Sequence, residues 1–72
     1  MIMYMIYINF TNGRTGYYAG LSNYDLRSGR YTAISFNSDS SAAEKFPTYN
    51  SALSHAKWLK SNYDCVGYIE VV

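Results

Sequence analysis

Residues 48–62 (T-Y-N-S-A-L-S-H-A-K-W-L-K-S-N) carry a convincing helical period, and most of the chain around them alternates like strand. Ala52, Leu53, Ala56 and Leu59 recur at the i, i+3, i+4 and i+7 spacings of an amphipathic helix. Thr48 suits the N-cap, where its hydroxyl accepts a bond from a first-turn N–H. Pro47 disfavours helical backbone at Phe46 and marks the boundary. Lys57 and Lys60 complement the dipole at the far end, and Asn62 suits a left-handed terminal residue. Two alanines on the core stripe predict a helix lying close against a sheet.

A chain of 72 residues is one domain, 1–72, with a thin core. It buries roughly 60–65% of its unfolded surface, and ~3–5 kcal/mol of stability is expected. The composition is that of a globular chain, 49% hydrophobic and 18% aromatic with one proline. Nine tyrosines are the unusual feature; an apolar body with a polar tip suits half-buried sheet faces and binding surfaces alike. A net charge of +1 argues against a nucleic-acid mimic, which needs a dense acidic face, and gives little support to a strongly basic nucleic-acid binder. Cys65 is alone, so no internal disulfide forms, and a reducing cytoplasm is the expected compartment. The apolar run Met1 to Phe10 lacks a basic lead and a cleavage site, which argues against a signal peptide, and is too short to span a bilayer.

Ile2 to Phe10 reads as a strand, with Ile2, Tyr4, Ile6, Ile8 and Phe10 on one face and Met3, Met5, Tyr7 and Asn9 on the other. Asn12-Gly13 supplies a tight turn. Tyr17 to Tyr24 is a second strand, with Gly20 marking a bulge or close packing. Asp25 to Gly29 turns the chain into a third, Arg30 to Phe36. Ala42 to Phe46 fits either one helical turn, with Ser41 and Glu44 as a capping box, or an extended approach that drops Phe46 into the core. Cys65 to Val72 is the last strand.

The expected fold is therefore α+β: a four-stranded, mainly antiparallel sheet in the order β-β-β-α-β, arranged 3-2-1-4, with one helix on one face. A right-handed crossover through the helix would pair the last strand in parallel with the first. The other sheet face is left open, and an uncovered aromatic face is a binding face or a dimer seam.

No catalytic constellation is evident. Ser51 and His55 are one turn apart on a flank expected to face solvent, with no third member. One His and one Cys do not make a zinc site, and Asp25, Asp39, Glu44, Asp64 and Glu70 are scattered. The expectation is a chain that is not an enzyme and uses no metal or cofactor. Tyr17, Tyr18, Tyr24, Arg27, Arg30 and Tyr31 cluster on the second hairpin, and Tyr and Arg are the residues most enriched at interface hot spots. These six are the candidate partner-binding residues.

An aromatic first strand, a hairpin, then A-E-K-F-P-T-Y-N-S-A-L-S-H-A-K-W-L-K and a final Y-I-E-V-V resemble small accessory proteins of bacteriophages and prophages. The likeness covers about the last 30 residues at motif level. It implies a non-enzymatic, anti-CRISPR-like or other anti-defence inhibitor that binds a host bacterial protein or ribonucleoprotein complex. R-Y-T-A-I-S-F followed by F-P-T-Y-N-S-A-L-S-H-A-K-W-L-K is also similar to the AP2-like, arm-binding modules of phage integrases. That likeness implies a sheet laid in DNA with Arg14, Arg27 and Arg30 as contacts, though +1 hardly neutralises the phosphates such binding needs. A homodimer packed through Met3, Met5 and Tyr7 is the third reading.

Overall fold

A computed structural model describes residues 2–72, except the side chains of Asn23, Tyr24, Arg30, Tyr31 and Thr32. The elements are β1 (Tyr4–Phe10), β2 (Thr15–Asp25), β3 (Arg30–Asn37), a 3-10 turn (Ser40–Ala42), α1 (Tyr49–Asn62) and β4 (Cys65–Val71). They form an α+β fold: one four-stranded sheet in the order β3-β2-β1-β4, with the helix against one face.

Every pairing is antiparallel, including β1 with β4, so the expected parallel crossover is not made. The reason lies in residues 38–47. After β3 they run back along the sheet, and Phe46 bridges Tyr4 of β1 in antiparallel sense. This segment makes the return pass that had been assigned to the helix. The helix then travels the opposite way, and β4 must run against β1.

The same segment settles how Ala42 to Phe46 is used. A 3-10 turn forms just upstream, capped by Asp39 rather than Ser41, and the backbone is extended at Ala43. Glu44 N–H donates to the Tyr18 carbonyl at 2.9 Å, while Tyr4 and Phe46 exchange hydrogen bonds at 2.9 and 2.7 Å. β1 and β2 pair only from Tyr7↔Tyr17 to Asn9↔Thr15, and Glu44–Phe46 wedges into the gap where they diverge. The divergence coincides with a bulge between Tyr18 and Leu21, where Gly20 takes φ +114°. That left-handed backbone strongly favours glycine.

Thr48 caps α1 as expected: its hydroxyl accepts from Ser51 N–H at 3.1 Å, and Ser51 Oγ accepts in return from Thr48 N–H. At the other end Asn62 stays helical, and the helix stops at Tyr63, whose backbone is extended (φ −138°) rather than left-handed. Ala52, Ala56 and Leu59 are buried, as their spacing predicted. They close over Ile6, Ile8, Tyr18 and Cys65, with Phe10, Leu21, Ile34, Phe46 and Tyr63 around the margin. Gly67 of β4 lets the helix come close, since a Cβ there would stand 2.9 Å from Ile6 Cγ2 and 3.2 Å from Ala56 Cβ. Among the described residues no helix is long and apolar enough to cross a membrane.

Candidate functional site: the open sheet face

Successive strand residues point to opposite faces, so the core set Ile6, Ile8 and Tyr18 fixes what lies on the other side. The register then aligns Tyr17 of β2, Tyr7 of β1 and Tyr68 of β4 in one row across three strands. Asn37 of β3 continues it. Tyr7 and Tyr17 meet edge to face, centroids 5.1 Å apart. Tyr17 Oη donates to Glu70 Oε1 at 3.3 Å. Because β1 lies between β2 and β4, that bond passes over β1, where Met5 pairs with Glu70. This roof accounts for Met5 being only 8% exposed on a face the helix does not cover. Burial, then the Glu70 carboxylate, pushes the Tyr17 phenol above its usual range.

Tyr68 and Val66 complete the patch, 51% and 40% exposed. They stand beside Tyr7 and Asn9. A half-exposed tyrosine and valine, set on a rigid sheet beside an already ordered Tyr–Tyr–Glu cluster, suit contact with another protein surface. Such anchors lose little conformational freedom on binding. Among the described strand residues of this face, Glu70 is the sole charge.

Of the six hairpin candidates, the three whose side chains are described, Tyr17, Tyr18 and Arg27, are not brought together. Tyr17 lies on the open face, but Tyr18, its neighbour, points the other way and is 2% exposed. Its ring stacks with Phe46 and tilts against His55 at 4.8 Å, and burial pushes its phenol pKa to about 12. Tyr18 is thus a core residue and is removed from the contact set. Arg27 is exposed at the hairpin tip, where its N–H donates to Asp25 Oδ1. The backbones of Tyr24 and Tyr31, and of Asp25 and Arg30, pair across β2 and β3. The side chains of Tyr24, Arg30 and Tyr31 lie outside the described residues. Arg14 places its guanidinium 5.1 Å over the Phe36 ring, whose other neighbour is Phe10 at the core margin, so it turns toward the helix side.

Neither Tyr68 nor Tyr7 is among the six expected contacts, although Tyr7 was placed on a face expected to meet a partner or a second copy. Their alternation was visible; the register that lines them up with Tyr17 depends on how β4 meets β1, which no local pattern records.

The Ser51–His55 flank does not face solvent as expected. Ser51 is occupied by the cap and also donates to the Thr48 carbonyl at 2.8 Å. His55 is half-buried between Tyr18, Phe46 and Trp58, and its Nε2 is buried without a hydrogen-bond partner. Burial lowers its pKa, against a smaller opposing pull from Glu44. Cys65 is buried with its thiol pKa raised by that burial, and it lies 3.7 Å from the Leu59 carbonyl. Among the described residues no cluster of three or more His, Cys, Asp or Glu is placed to hold a metal ion.

No family model, curated protein or solved structure matches this chain.

Proposed function

We propose that this chain is a non-catalytic protein-binding module that docks through its open sheet face and blocks a bacterial host protein, as the phage accessory proteins it resembles do. The observation that carries the reading is the cross-strand row Tyr17–Tyr7–Tyr68, rimmed by Val66 and Glu70. A face of this kind offers aromatic anchors of the sort that dominate protein interfaces. Its described strand residues include no lysine or arginine, which favours a protein over the phosphate backbone that the integrase-like reading requires. The setting is the bacterial cytoplasm, the compartment suggested by the lone reduced Cys65.

The test is retention from nuclease-treated bacterial lysate. Unmodified protein retains a stoichiometric protein partner at moderate salt; Tyr68→Glu, an exposed and foldable change, loses it; Arg27→Glu with Arg30→Glu keeps it. Retention that vanishes with nuclease, or that depends on the arginines and ignores Tyr68, overturns the reading in favour of nucleic acid. A dimer mass by light scattering that Tyr68→Glu converts to monomer instead makes the face a self-association seam.

A further inference from the structure

Among the described residues β4 is the last strand of the sheet, bonded on one side only. Val72 N–H donates to the Met3 carbonyl at 2.9 Å and Thr11 N–H to the Asp64 carbonyl at 3.1 Å. These contacts fix the alternation of the ladder: Val66, Tyr68 and Glu70 bond β1, while the N–H and C=O groups of Gly67, Ile69 and Val71 point away from the sheet. Natural edges are usually blunted with lysine, proline or a bulge. β4 (C-V-G-Y-I-E-V) has none of these, and its one charge, Glu70, is engaged by Tyr17 on the open face.

The helix adds a second element. His55 meets Tyr18, so that flank of α1 faces β2. At roughly 100° per residue, Leu53, Lys57 and Lys60 fall on the opposite flank, above the free edge of β4. α1 carries these two lysines and no acid. Neither lysine is ion-paired among the described residues. Edge and flank together make a groove with a backbone ladder for a floor and two cations along one wall.

We infer that this groove takes an extended segment of a partner protein as a fifth strand, with acidic side chains turned toward Lys57 and Lys60. The alternating side chains of such a strand would present apolar groups beside Val66 and Tyr68 on the other face. A second copy paired antiparallel, with its helix on the same face, does not fit. The helix sits almost directly over β4, with the position of a Gly67 Cβ 3.7 Å from Ala56 Cα. Two β4 strands paired at ~4.8 Å would bring two helices closer than the ~8–10 Å their axes need, lysine flank against lysine flank. A bare strand meets neither obstacle. The inference rests on the preceding reading only in taking the partner to be a protein.

The probe is a blocked octapeptide of alternating valine and glutamate, titrated into the full chain and followed by amide NMR at neutral pH. The expected result is shift and new exchange protection at Gly67, Ile69 and Val71. Valine–lysine peptide, or the valine–glutamate peptide N-methylated at alternate residues, produces neither. Lys57→Glu with Lys60→Glu, both at exposed positions, weakens the acidic peptide about tenfold or more and turns the preference toward the basic one. Equal binding of both peptides overturns the inference, as does perturbation that spares those three amides. Protection of the three amides in the free chain together with a dimer mass overturns it too, because the edge is then already taken. Loss of the Tyr68-dependent partner leaves this result standing, and failure of the peptide leaves that partner standing, so the two readings fail separately.

Discussion

Burial keeps the His55 imidazole reluctant to accept a proton, and stability should show it. The unfolded chain protonates this ring near its ordinary 6.5, whereas the folded chain protonates it only at lower pH. Between those values the unfolded state binds more protons, so stability present above about 6.5 declines as pH falls through that window. Urea midpoints measured at about pH 7.5 and 5.5 should therefore drop on acidification, and His55→Phe should flatten the difference. An unchanged slope in that variant would mean that another group carries the effect. Gly67 makes a steric case instead. Gly67→Ala should cost about 1–3 kcal/mol in urea denaturation, because the new methyl meets Ile6 and Ala56 in a packed core. Wild-type stability would show that the helix lifts off β4 without penalty. Neither residue announced its role in the sequence: His55 read as surface because it shares a flank with Ser51 beside the Ala52–Ala56–Leu59 stripe, and the closeness of Gly67 depends on a helix eleven residues upstream.

Among the elements, the helix and the first three strands were legible because their signals are local. Thr48 after Pro47, the stripe of Ala52, Ala56 and Leu59, and Asn12-Gly13 each specify backbone geometry within a few residues. The direction of β4 was not, since it depends on residues 38–47 running back as an extended wedge, and nothing in N-S-D-S-S-A-A-E-K-F advertises strand. Solvent-facing polarity at that stretch hides backbone pairing made from below. Hydrogen exchange can show the wedge directly: the amides of Tyr4, Glu44 and Phe46 should be protected to nearly the level of Ile8, although Glu44 and Phe46 stand outside the four strands. Exchange of all three at the rate of Ser38 in the preceding loop would remove the wedge and reopen the question of how β4 comes to run against β1.

The whole molecule is elongated, 39 Å along its greatest extent against 21 Å along its least, and the hairpin of β2 and β3 runs on past the bulge. Replacing residues 22–33 by an Asn-Gly turn joining Leu21 to Ile34 should change stability by no more than about 1 kcal/mol, because among the described residues the buried cluster ends near Leu21 and Ile34. Partner retention should survive the change if the open face does the binding. Its loss would return the site to Arg27 and the hairpin residues first suspected from their Tyr and Arg content. The hydrogen bond from Val72 to Met3 sets the first and last described strands side by side at the end of the sheet away from the Asn12-Gly13 turn. A short glycine–serine bridge can therefore splice Val72 to Ile2, and the chain can be reopened between Arg27 and Ser28, at the exposed bend of the β2–β3 hairpin, which projects from that same end of the sheet. Such a rewired molecule should give the same amide fingerprint as the original apart from the junctions, and would let a cargo be mounted at the hairpin tip without touching either surface proposed to bind.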